Sequence, residues 1–233
     1  MEVCCGNIAS VRAAIEGGAD RVELCRDLEF DGLTPSREMI GEAVGLCHPA
    51  GLLVHVLIRS REGDFVYDDT EVKKMADEIG MAIAEGADGV VVGALTPGGD
   101  IDTAACRKWI DAVRQAVGDQ RRNVTFHRAF DVCDDPLEAI GQIARLGCNR
   151  ILTSGQQATA EQGIPLLRQL VEKAREISAK SGHELGILCG AGVNTHNAST
   201  ILKATGATEI HGSLRTGLVS DAEKIRLVKE AIS

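Results

Sequence analysis

One unit recurs along this chain: a short run rich in β-branched residues, a longer stretch of helical period, and a glycine-led turn into the next run. The runs that read as strands are Glu2–Cys5, Arg21–Cys25, Leu52–Ile58, Gly89–Gly93, Asn123–His127, Arg150–Thr153, Leu185–Cys189 and Glu209–His211. Eight segments of helical period follow them in turn: Ile8–Glu16, Arg37–Leu46, Thr70–Glu85, Thr103–Val117, Pro136–Arg145, Glu161–Ala179, Thr195–Lys203 and Asp221–Ile232. Four of the helix-to-strand turns are spelled alike: Gly18-Ala19-Asp20, Gly86-Ala87-Asp88, Gly147-Cys148-Asn149 and Gly206-Ala207-Thr208. Glycine just past a last helical turn takes the left-handed conformation that closes a helix, so these turns mark the unit boundaries.

Strict alternation of strand and helix with short connections gives parallel strands joined by right-handed crossovers. Eight such units favour an α/β fold closed as a (β/α)8 TIM barrel, and 233 residues suit one such domain over residues 1–233. A doubly wound open sheet competes with it, but that fold wants a glycine-rich first strand-to-helix turn, and here the turn reads Cys5-Gly6-Asn7. Aromatic residues are only 3% of the chain, so the core has to be built from Val, Ile, Leu and Ala. A net charge of −9 supplies no basic stripe for a phosphate backbone, which argues against nucleic acid and anionic membrane surfaces as partners. Apolar stretches are too short for a membrane span, and Met1 leads straight into the first strand, so a cytoplasmic location is expected. The eight cysteines lie unevenly spaced in apolar segments, as reduced thiols do.

Successive strand side chains point to opposite faces, and the face toward the helices has to be apolar. Val3, Val22, Leu24, Val54, Val56, Ile58, Val124, Phe126, Ile151, Ile187 and Ile210 satisfy that parity. The opposite parity points into the barrel and carries Glu2, Cys4, Glu23, Cys25, His55, Leu57, Arg59, Thr125, His127, Glu209 and His211. Charge inside a barrel is costly unless paired or solvated, so a wet site at the C-terminal ends of the strands is the simplest account. A buried network of Glu2, Glu23, Arg59 and His127 tying strands together is the competing one. His55, early in its strand, reads as a packing residue.

Several segments carry a resemblance. Glu2-Val3-Cys4-Cys5, Gly18 through Cys25 (Gly-Ala-Asp-Arg-Val-Glu-Leu-Cys) and Gly32-Leu33-Thr34-Pro35-Ser36 are similar to the CutC copper-homeostasis family. So are Thr125-Phe126-His127-Arg128-Ala129-Phe130-Asp131, Arg150 through Gly155 (Arg-Ile-Leu-Thr-Ser-Gly) and Gly190-Ala191-Gly192-Val193-Asn194. The resemblance runs from the first strand to His211, and it implies a β/α barrel, a cytoplasmic homo-oligomer and a copper ion as partner, bound as Cu(I). One departure is Ser60, where the family usually has proline between Arg59 and Arg61.

Two chemistries fit the inward residues. In the first, Cys4 and Cys25, each two residues after a glutamate on neighbouring strands, hold Cu(I), since soft thiolates select that ion. Both can equally be small core residues. Zinc fits less well, because nothing in the spacing demands a third firm ligand, although His127 and His211 are at hand. In the second, an isomerase or lyase acts on a small anionic molecule. Glu2 and Glu23 would serve as base and acid, His127 as an alternative proton carrier, Arg59, Arg61 and Arg128 as anion clamps, and Asp131 as their orienting group. A phosphorylated ligand would then sit on the loops after strands seven and eight, on Gly190, Gly192, Gly212 and Ser213, helped by Arg215.

Overall fold

The structure, a computed structural model, describes residues 1–117 and 122–233. Eight parallel strands close into a barrel in chain order: β1 (Glu2–Cys5), β2 (Arg21–Leu24), β3 (Leu53–Leu57), β4 (Gly89–Val92), β5 (Asn123–Phe126), β6 (Arg150–Thr153), β7 (Gly186–Cys189) and β8 (Glu209–Gly212). The helices are α1 (Ile8–Glu16), α2 (Arg37–Cys47), α3 (Asp69–Ala84), α4 (Thr103–Val117), α5 (Pro136–Leu146), α6 (Ile164–Ser181), α7 (Ala198–Thr205) and α8 (Ala222–Ile232). The (β/α)8 barrel expected from the alternation is thus the fold.

Local chemistry explains most boundaries. Asp68 caps α3 in a reciprocal pair with Glu71, and Asp135 caps α5 just before Pro136. Gly18, Gly86, Gly147 and Gly206 all have positive φ, so the four like-spelled turns use glycine for the same left-handed closure. Three larger departures from expectation occur. α6 runs from Ile164 to Ser181, not from Glu161 to Ala179. α7 starts at Ala198, not Thr195, because Asn194 takes the His196 amide and Asn197 takes the Asn194 amide, holding residues 194–197 in turns. After β8 the chain forms a hairpin, β9 (Arg215–Thr216) and β10 (Val219–Ser220), that turns at Gly217 and docks on α1 through the bond from the Ser220 amide to Ser10 Oγ, 3.1 Å. Its two-residue strands are too short to show alternation.

Register and shear order the interior into layers of four side chains from alternate strands. The lowest layer is Arg21, Gly89, Arg150 and Glu209; above it lie Glu2, His55, Thr125 and Leu188. The third holds Glu23, Val91, Leu152 and His211, the fourth Cys4, Leu57, His127 and Gly190. Cys25, Gly93, Ser154 and Ser213 stand at the mouth. Glycine leaves room for the rings: a Cβ on Gly89 would meet His55 Nε2 at 2.7 Å, and one on Gly93 would meet His127 Nδ1 at 2.6 Å. The helix-facing set predicted from parity is buried throughout, in the shell between barrel and helices. Among the described residues, no helix is long and apolar enough to cross a membrane.

Candidate functional site

The two lowest layers form an ion network. Arg21 pairs with Glu2 and, at 2.7 Å, with Glu209; Arg150 reaches Glu209 at 2.7 Å. Glu2 also accepts from His211 Nδ1 at 2.8 Å and is fully enclosed. Burial alone would raise the Glu2 carboxyl, but Arg21, His211 and His55 outweigh it and hold it well below the usual carboxylate range. This network was partly foreseen as the alternative to a wet site, but its cations are Arg21 and Arg150, which the parity assignment passed over. Arg21 lies two residues before inward-facing Glu23, so period 2 already placed it inside.

Above the network sits a donor cluster. Cys4 Sγ and Cys25 Sγ are 3.8 Å apart, both buried and both free thiols. Cys4, Glu23 and His211 each bring a ligand atom within 4.8 Å of the other two. Burial would lower the His211 imidazole, yet Glu23, Cys4 and Glu2 together hold it well above its ordinary value, so it is a cation between carboxylates. The hydrogen bond with Cys25, then burial, lifts the Cys4 thiol well above the usual range. Burial pushes the Glu23 carboxyl up to about 7, with His211 opposing and Glu2 adding.

A cavity of about 450 Å³ opens over this cluster and is lined by Cys4, Glu23, Arg59, His127, Asp131, Gly192, Gly212 and Ser213, among others. The structure therefore gathers most of the sequence-derived candidates at one mouth, with three changes of role. Glu2 lies beneath the floor, away from the lining, so its contact with a ligand passes through His211. For His127 the neutral ring is favoured: burial and the charge of Arg59 press its imidazole down to about 3, and Nδ1 accepts from the Ala129 amide at 3.1 Å. Gly190 spends its amide on Thr153 O, and its missing Cβ makes room for Leu152, so it packs rather than binds. Asp131 does pair with Arg128, at 2.7 Å, but it also accepts from Thr153 Oγ1 and the Ser154 and Gln156 amides, pinning the loop after β6.

The His127 pocket makes a direct prediction. Gly93→Ala forces the new methyl into the imidazole, with an expected loss of ~1–3 kcal/mol in denaturant unfolding. Gly45→Ala, in open space on α2, should instead gain ~0.5–1 kcal/mol. Equal effects at the two sites would contradict the packing of the ring against Gly93.

Fold and site together define a β/α-barrel protein whose mouth combines a pair of thiols with imidazole and carboxylate donors. Residues 1–216 match the model of the CutC family. The CutC proteins of Bacteroides thetaiotaomicron and Pasteurella multocida are 48% and 45% identical, over 95% and 91% of this chain and 83% and 80% of theirs. A crystal structure of CutC from Streptococcus agalactiae, named for copper homeostasis, superposes with a TM-score of 0.82 at 34% identity, covering 91% of this chain and 97% of that one. The chain belongs to the CutC family.

Proposed function

We propose that the chain serves copper homeostasis in the cytoplasm by binding Cu(I) at Cys4 and Cys25, with His211 as third donor and Glu23 beside it. The observation that carries this reading is the facing thiol pair, 3.8 Å between sulfurs, with Cys4 on the cavity lining and Cys25 fully buried behind it. Soft sulfur ligands select Cu(I) over harder cations. With metal–sulfur bonds of roughly 2.3 Å, sulfurs so spaced meet an ion at about 110°, a bent arrangement that leaves room for another donor. His211 suits that role, since its Nδ1 is held by the Glu2 carboxylate and its other nitrogen is left for the ion, the second-shell pattern that orients metal-binding imidazoles.

Binding has to displace protons from Cys4 and His211, so affinity should fall as pH falls. Anaerobic Cu(I) titration against a competing chelator tests the assignment. Cys4→Ser and Cys25→Ser should each remove the site, whereas Cys106→Ser, buried on α4 away from the mouth, should retain it. Equal affinity in all three variants would overturn the proposal.

A further inference from the structure

Three buried polar atoms of residues in the cavity wall are left without protein partners among the described residues: two donors, His127 Nε2 and Arg59 Nε, and on the Cys4 side one acceptor, Glu23 Oε2. His127 is 5% exposed; its Nδ1 accepts from Ala129, so its proton sits on Nε2, which has no partner among the described residues. Arg59, 4% exposed, donates to three neutral carbonyls, Phe30 O at 2.7 Å, Gly32 O at 3.2 Å and Gly63 O at 2.8 Å. No carboxylate among the described residues pairs with it, and its Nε is also unpartnered. Phe65 joins these two donors, with its ring 4.9 Å from the imidazole and 5.3 Å from the guanidinium carbon. A buried guanidinium without a counter-ion is costly, and an anion in the cavity offsets that cost.

Across the cavity, the amides of Gly192 and Ser213 have no protein acceptor among the described residues. The backbone beside them is strained: φ is +80° at Ala191 and +46° at Leu214, neither a glycine. Of the acids on the lining, Asp131 is taken by Arg128 and the loop after β6, and Asp31 is exposed at the rim. Glu23 lies beside the His211 cation at 3.9 Å, with its Oε2 unbonded. Arg215, exposed on β9, adds a cation without an acid partner among the described residues. A chain of net charge −9 thus presents unpaired positive charge and free donors at one point.

We infer that this cavity is a binding site for a small organic oxyanion, whose charged group takes the Gly192 and Ser213 amides near Arg215, with Arg59 and His127 as donors on the opposite wall. Its volume of about 450 Å³ lies within the range of small-molecule sites. These donors share the cavity with Cys4 and His211, but the inference does not rest on copper binding. The start of α7 plays no part, because the Asn194 and His196 amides are already bonded within their own turns.

The test is NMR titration of the metal-free full chain with inorganic phosphate and, separately, acetate. Saturable shifts of the Gly192 and Ser213 amides and of the His127 Nε2 proton are expected, with a dissociation constant of roughly 1 mM or tighter. Tighter phosphate binding assigns a tetrahedral group, and tighter acetate binding a planar one. Ser213→Pro, which deletes the amide, should weaken binding at least tenfold while Ser213→Ala does not. Arg215→Ala, an exposed change, should weaken it several-fold with the fold intact. The Cys4→Ser, Cys25→Ser double variant should bind the anion as the wild type does, so the two readings fail separately. No saturable shift with either probe at tens of millimolar, or unchanged binding in both Ser213→Pro and Arg215→Ala, would overturn the inference.

Discussion

Glu2→Ala is expected to lower the unfolding free energy by about 3–5 kcal/mol, because it leaves a buried guanidinium and a partly buried imidazolium without their shared carboxylate. Glu2 is fully enclosed and accepts from both Arg21 and His211. Removing one partner of such a buried pair costs more than the pair contributes over an apolar filling. The paired replacement Glu2→Met with Arg21→Met should therefore cost less than either single change, although Glu209 then keeps only Arg150. Chemical denaturation of the four proteins gives the coupling energy. A loss below about 1 kcal/mol for Glu2→Ala would mean that the network is solvated and the layer assignment wrong.

Acid should unfold the protein partly through its buried histidines. Burial, with the charge of Arg59, holds His127 down to about 3, and burial holds His55 down to about 4, against an ordinary 6.5. The unfolded chain then binds protons near pH 6.5 that the folded chain refuses, so stability is present above 6.5 and is lost as pH falls toward 3 to 4. Glu23 acts in the opposite sense: its raised carboxyl takes a proton in the folded state near 7, offsetting one of the two histidines between about pH 7 and 4.5. Comparison with His127→Asn, whose amide oxygen can still accept from Ala129, isolates one of them. The difference in unfolding free energy between wild type and variant should change by ~1.4 kcal/mol per pH unit, or about 3 kcal/mol between pH 6.5 and 4. A difference that stays constant over that window would show that His127 titrates normally.

Much of this was legible in the sequence. The glycine-led turns marked the repeating unit, and period 2 placed Cys4, Glu23, Cys25, His127 and His211 inside the barrel. Shear was not legible: alternation tells which face a side chain occupies but not its height, so Glu2 read as a mouth residue although it lies two layers below Cys4. The same blindness hid the distinction between Gly190, whose amide continues the ladder, and Gly192, whose amide is free. Arg21 and Arg150 were missed because each opens a strand next to a turn, where a charge reads as solvent-facing until register shows Glu209 between them.

The bond between Glu2 and His211 joins residues 209 positions apart, and the β9–β10 hairpin ties Ser220 back to Ser10. The donor cluster therefore draws on both ends of the chain. While the protein is being made, Cys4 and Cys25 leave the ribosome early, and their imidazole partner follows on the order of ten seconds or more later. In that interval β1 has an unpaired edge where β8 will lie, and its thiols are open to chance metal ions and oxidants. Because such long-range pairing is slow, ring closure is also the moment at which the site comes into being. A chain truncated before β8 would keep both sulfurs and lose His211, the imidazole that lies beside Cys4 and Glu23.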